Sequence, residues 1–337
     1  MAHTENDSAL PPSIGGIKVR SDDIAFPSES MIVCDGCGRS NPPNRAACFY
    51  CAHALVVVPE KSGFAGLKIK HPEDWEPALN VIVTGGLNGG QGRIESVARI
   101  INTEPAAIAG LAACERPLPL LRVSSVIEAD MVVRALEDIG VDVLVVSDAE
   151  LMPDTPPIRL RSLDFGDGDL LVTDFNTGMS LTIARSDVAV IVSGMIAKTS
   201  VEQLEKRRRN RSKLLDSNET SSDSKLLDIY TRNSPSGFRI MLSGFDFSCL
   251  GDRKVLLASE NMLMLEQKLR DFAPSAQFTA LNTEIRHALN DVWPVESRND
   301  PKGLQRSGFA RYEFGNTVSS TNLRQMNRYS RLQWYLK

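Results

Sequence analysis

Long apolar runs are missing from this sequence. No uninterrupted apolar stretch among its 337 residues approaches the length that a membrane helix requires, roughly eighteen or more. The opening residues, MAHTENDSALPPSIGGIKVR, lack the apolar core of a secretory signal, which predicts a cytoplasmic chain. A dominant charge is missing too. With a formal net charge of −4, the whole-protein field neither recruits nor repels nucleic acid, so any such affinity must come from a local patch. Histidine is scarce, with four in the chain: His3 and His71 fall in polar stretches, His53 beside a cysteine cluster, and His287 in a helical segment. No serine or cysteine carries a recognisable nucleophile signature, and the acidic residues form no spaced cluster suited to acid–base work. Cys114 and Cys249 sit in apolar contexts typical of inert thiols. These absences leave no motif for a reaction.

What is present is concentrated in CDGCGRSNPPNRAACFYC, residues 34–51, which holds four of the six cysteines. Cys34, Cys37, Cys48 and Cys51 form two C-x2-C pairs separated by ten residues. Each pair makes a knuckle that presents two sulfurs, and two knuckles complete a tetrahedron of thiolates around a zinc ion at ~2.3 Å per bond. In a reducing compartment such paired cysteines are metal ligands rather than disulfides. Four protein ligands leave no open position, so the predicted zinc is structural. Gly36 and Gly38 ease the first knuckle, and Asn41-Pro42-Pro43-Asn44 supplies a turn between the pairs. The second knuckle has Ala52 where a glycine would be easier. His53 is not needed, because four thiolates already fill the coordination sphere. A unit of this size is too small for a hydrophobic core, so the metal has to hold it together.

The patterning predicts a multidomain α+β chain. Residues 1–30 are polar and aperiodic and read as a disordered tail, followed by the zinc ribbon at 31–56. Residues 78–150 read as a small β-α-α-β-α-β module: ALNVIVT, then RIESVARII and PAAIAGLAACE, then LPLLRVSS, VIEADMVVRALEDIG closed by Gly140, and VDVLVVSD. Residues 156–275 read as an antiparallel β-rich module. IRLRSLDF, LLVTDF, MSLTIARSD, VAVIVSGMIA, LLDIYTR, GFRIMLSG and FDFSCLG are its strands, and VLLASENMLMLEQKLRDF is a capping helix. Within it, 199–225 reads as a mobile insertion with few apolar side chains. Residues 276–337 form a C-terminal extension, helical at TEIRHALNDVW and QMNRYSRLQWYLK.

Two stretches invite a binding role. GGLNGGQG follows a strand and precedes a helix, but Gln91 and Gly92 stand where a phosphate-binding loop needs lysine and a hydroxyl, which favours a permissive loop. The basic run Lys206, Arg207, Arg208, Arg209, Arg211 and Lys213 is a candidate anion-binding segment. It has no interleaved aromatics, and an acidic, serine-rich stretch follows it, so a solvated loop is the simpler reading.

The segment LPLLRVSSVIEADMVVRALEDIGVDVLVVSD, with Glu128-Ala129, Leu136-Glu137, Gly140 and the closing Val141-x-Val143, resembles the C-terminal domain of the bacterial ribosomal stalk protein and the related ClpS adaptor. That resemblance implies the fold of residues 78–148 and no binding residues, because the matching helix offers only Arg93 and Arg99 where the stalk domain is lysine-rich. The part after Ile158 is similar to a PH-like barrel capped by a helix, and the whole chain resembles bacterial zinc-ribbon proteins, which implies no activity. The expectation is a non-enzymatic interaction or adaptor protein with a protein partner. The alternatives are a nucleic-acid-binding protein that uses the ribbon and the basic run, and an enzyme with a site assembled across domains.

Overall fold

The computed structural model describes residues 13–14, 17–18, 31–42, 45, 47–55, 72–208, 211–308 and 311–337. The chain is mixed α/β and mostly sheet. Inside the stretch expected to be a structureless tail, β1 (Ser13–Ile14) pairs antiparallel with β2 (Ile17–Lys18). The Gly-Gly dipeptide between them in the sequence is a tight-hairpin signal that outweighed the polar composition around it. The rest of 1–30 lies outside the described residues. Next, β3 (Ile32–Val33) pairs antiparallel with β4 (Ser40–Asn41).

The α/β unit follows in the expected order: β5 (Leu79–Gly85), α1 (Gln91–Ile101), α2 (Pro105–Ala113), β6 (Leu118–Val123), α3 (Val126–Glu137), β7 (Asp142–Ser147) and a short α4 (Asp148–Leu151). Its sheet runs β6-β5-β7, with β5 antiparallel to both neighbours. Pro105 opens α2 at the position where a missing N–H costs nothing. Ser125 caps α3 by accepting from the Glu128 N–H, while the Glu128 carboxylate accepts from the Ser124 N–H and the Ser125 hydroxyl. The glycine loop before α1 is filled by the chain itself: the Arg93 guanidinium donates to Gly86 O at 2.9 Å and Gly140 O at 3.1 Å. A Cβ on Gly86 would meet Gly140 O at 2.3 Å, so this glycine permits the close approach of the loop to the end of α3.

The second unit begins with the meander β8 (Ile158–Phe165), β9 (Asp169–Asp174) and β10 (Ser180–Ala184). It continues with β11 (Val188–Arg208), β12 (Arg211–Thr231), β13 (Ser234–Met241), α5 (Ala258–Phe272), β14 (Gln277–Leu281), α6 (Thr283–Leu289), β15 (Glu296–Gly308), β16 (Arg311–Thr321) and α7 (Leu323–Tyr335). The strands form one sheet in the order β10-β9-β8-β13-β12-β11-β16-β15, with β14 running parallel beside β11.

Alternation along β11 and β12 divides the core between two faces. Val190, Val192, Leu226 and Tyr230 join the apolar residues of the α/β unit and Met326, Tyr329 and Leu332 of α7. Ile191, Leu227 and Ile229 face the other way, toward β8–β10 and Met262, Leu265 and Leu269 of α5. The elements read from sequence as separate modules therefore share the first of these cores.

Three expectations change. FDFSCLG is not a strand: Phe247–Arg253 is 3-10 helical, because the Asp246 carboxylate accepts from the Ser248 N–H and turns the chain. Residues 199–208 and 211–225 are no loop. They are the distal part of the β11–β12 hairpin, and β11 is also laddered to β16 from Lys198↔Thr321 to Glu205↔Phe314. Nor are residues 276–337 an appended extension. β14, α6 and α7 are integral, and from Gln325 to Gln333 every residue of α7 is buried. No helix among the described residues is long and apolar enough to cross a membrane.

Candidate metal centre

The two knuckles are built alike. Cys34 N–H donates to Arg39 O at 3.0 Å and Gly38 N–H to Cys34 O at 2.7 Å; in the second knuckle, Cys48 N–H donates to His53 O at 2.8 Å and Ala52 N–H to Cys48 O at 3.0 Å. The fourth position after each leading cysteine takes the left-handed conformation, Gly38 with φ 69° and Ala52 with φ 58°. Glycine does this freely, and alanine pays a steric penalty for it. Gly36 serves close approach: a Cβ there would meet His53 Cγ at 2.9 Å.

All four predicted cysteines come together. Their Sγ atoms lie within 4.8 Å of one another, with Cys34 and Cys51 at 3.6 Å and Cys37 and Cys48 at 3.5 Å. A tetrahedron of thiolates with bonds of ~2.3 Å has edges of about 3.8 Å, so the donor set fits a four-coordinate thiolate-bound metal. Among the described residues this is the one group of three or more His, Cys, Asp or Glu ligand atoms so placed. Cys34 and Cys48 are buried with Leu55, and Cys37 and Cys51 are exposed. So few buried apolar groups cannot define a core.

The thiols are electrostatically unequal. Burial raises the proton affinity of Cys48. The Tyr50 and Cys51 N–H groups and the Cys37 and Asn41 side chains more than reverse this and hold it down to about 6. For Cys51, a backbone hydrogen bond at His53 pulls downward, but burial and the three neighbouring sulfurs push it up to about 12. A cation held at the centre would take the place of the protons that such a crowd of sulfurs otherwise shares.

Asn41 does more than turn the chain. It is 1% exposed on β4, and its amide donates to Arg39 O at 2.8 Å and to Cys48 Sγ at 3.5 Å while its carbonyl accepts from the Phe49 N–H at 2.8 Å. One side chain thereby ties both knuckles together and neutralises part of a thiolate's charge. Sequence reading placed it in a turn because two prolines follow it.

On its outside the ribbon presents an aromatic pair. Phe49 is 68% and Tyr50 54% exposed, and their rings meet edge-to-face. Arg45 stacks over Phe49 and Arg39 over Tyr50 at 4.9 and 4.6 Å from the ring centroids.

The other candidate residues lie elsewhere. In the basic run, Lys206 pairs with Lys213, Arg207 with Ser212 and Arg208 with Arg211 at the end of the β11–β12 hairpin, while Arg209 is outside the described residues. Burial raises the Cys114 thiol and pushes Cys249 up to about 11, so neither is activated as a nucleophile. No family model, curated protein or solved structure matches the chain.

Proposed function

We propose that the chain is a non-enzymatic interaction or adaptor protein of the cytoplasm, with a ribbon closed by one structural zinc held by Cys34, Cys37, Cys48 and Cys51. The observation that carries this reading is the pairing of a closed metal site with a displayed aromatic–arginine surface. Four thiolates leave no coordination position for a substrate, so the metal's role is to hold the loop in shape. What that shape presents is Phe49, Tyr50, Arg39 and Arg45, the residue types that anchor protein interfaces. Two exposed aromatic rings held against each other and against guanidinium groups lose little further conformational freedom on docking. The stalk-like reading of residues 78–148 is supported by the antiparallel β6-β5-β7 sheet, and the PH-like reading of the β-rich part by a meander closed with α5.

Affinity capture with the tagged full chain from the cells that make it, beside its Phe49→Ala/Tyr50→Ala variant, tests the proposal. A protein retained by the wild type and lost from the variant, at equal metal content, is expected. Identical retained sets, or loss of a nucleic acid rather than a protein, would overturn it.

A further inference from the structure

The long sheet ends at β10, which pairs with β9 on one side and, among the described residues, with no strand on the other. Two backbone hydrogen bonds fix which groups that open edge presents. Met179 O accepts from the Asp174 N–H at 2.9 Å at the turn of the β9–β10 hairpin, and the Arg185 N–H donates to Gly168 O at 2.8 Å at its far end. Hydrogen-bonded and non-hydrogen-bonded pairs alternate along an antiparallel ladder, so Met179, Leu181, Ile183 and Arg185 turn their backbone groups toward β9. Ser180, Thr182 and Ala184 therefore turn their N–H and C=O groups outward, as an unfilled ladder.

Sheet edges are commonly protected by charge, by proline, by a bulge or by a covering element. Among the described residues β10 has none of these. Ser180-Leu181-Thr182-Ile183-Ala184 holds no charged residue and no proline, and its register with β9 runs without a bulge. Every residue of the strand except Ile183 is exposed. The apolar layer also stops short here. Leu181 lies opposite Val172 and two residues from Ile183, both buried in the core against α5, yet is itself 54% exposed. Met179, just before the strand, is 73% exposed. An edge with an open ladder and an uncovered apolar side chain takes another strand.

We infer that the strand is β10 of a second copy of this chain, paired antiparallel about a two-fold axis at Thr182. In that register Thr182 meets Thr182 of the second copy, and Ser180 meets Ala184 of the second copy. These are the pairs that exchange both hydrogen bonds, so every outward backbone group of the strand is used. Leu181 falls opposite Ile183 of the second copy, in the kind of pair whose side chains stand closer, and each copy continues the other's apolar layer. No like charges meet: Arg185, the first charged residue beyond the strand, falls opposite Met179 of the second copy. The ladder is short, five residues a side, so the dimer is reversible and concentration-dependent. A dimer carries two ribbons and engages a repeated partner bivalently, but its formation does not depend on what the ribbon binds.

Sedimentation equilibrium of the full chain over a concentration series tests the inference. The apparent mass should rise from 36.9 kDa toward twice that value. Thr182 is exposed and stands opposite Leu171 on the face turned away from the core. Thr182→Lys places like charges opposite each other at the two-fold axis and should raise the dissociation constant about fivefold, as should Thr182→Glu. An equimolar mixture of the two variants should restore association as a heterodimer. If either variant melts below the wild type, Thr182→Cys takes its place, and mild oxidation should link two copies through that residue where the wild type stays unlinked. A wild type that remains monomeric at every concentration would overturn the inference. So would a Thr182→Lys variant that dimerises like the wild type, which assigns association to another surface. A Lys and Glu mixture that fails to pair, or a Thr182→Cys variant that fails to link, would equally overturn it and leave β10 to a strand of another protein.

Discussion

Arg328 Nη1 on α7 lies 3.0 Å from Asp74 Oδ1, in the turn that precedes the first strand of the α/β unit. The contact closes the chain on itself, because Asp74 also receives Arg324 at 2.9 Å and stands 3.7 Å from Arg122, which in turn holds Asp148 at 2.6 Å. On the same helix, Ser330 donates to Asp228 Oδ2 at 2.7 Å, the carboxylate that takes Arg239 in a two-pronged ion pair at 2.7 Å on each side. α7 is therefore joined to the α/β unit by ion pairs and to the β-rich unit by a hydrogen bond, as well as by packing. Buried ion pairs are weak sources of net stability but costly to break, since removing one partner strands the other.

Asp74→Ala should accordingly cost about 3–5 kcal/mol, because Arg328, fully buried, loses the carboxylate nearest its Nη1. Denaturant unfolding followed by tryptophan fluorescence measures it. A loss below about 1 kcal/mol would mean that Asp148 alone supports Arg328.

The two knuckles offer a paired prediction. Ala52→Gly removes a left-handed alanine and Gly38→Ala creates one, where a Cβ meets nothing within 4 Å and so adds only the backbone penalty. Each change is worth about 1 kcal/mol, of opposite sign. Chelator competition should show metal held several-fold more tightly in the first variant and less tightly in the second. Shifts in the same direction would contradict the knuckle geometry.

Glu266 on α5 gives a pH signature. Burial pushes its carboxyl upward, but the hydrogen bonds and charges of Lys225 and Arg270 outweigh that and set it below the ordinary range. With its folded-state pKa depressed, the stabilisation is present above the unfolded value of ~4.3 and lost as pH falls through the folded value. Glu266→Gln should thus lower the melting temperature at pH 7, by the equivalent of about 1 kcal/mol given the half-exposed Arg270, and the difference should vanish in acid. A difference that persists in acid would assign it to packing.

The parts legible in the sequence are those set by local spacing. The cysteine pairs fix their own knuckles within a few residues, and the 3.6-residue period places α1, α3 and α5 where the structure has them. α7 is legible as a helix but not as a buried one. Arg328, Arg331, Asn327 and Gln333 look like a solvated face, and partners far away in sequence accompany the burial of three of them: Asp74 for Arg328, Pro153 O for Asn327 and the Tyr230 ring for Arg331. The outer part of the β11–β12 hairpin was missed for a related reason. Thr199 to Gln203 and Ser217 to Asp223 lack the alternation of a half-buried strand; the two segments pair with each other, and Thr199 to Gln203 pair also with β16, more than a hundred residues from β11. Phe245 and Phe247 imitate strand alternation, and the Asp246 cap that breaks it is one side chain.

The most direct test of the account is elemental analysis of the full chain purified without added metal. One zinc per chain, lost together with the ribbon's order in Cys34→Ser while the α/β and β-rich units stay folded, is the predicted result. Less than about a tenth of an equivalent of zinc in a fully folded ribbon, or iron in its place at full occupancy, would contradict it.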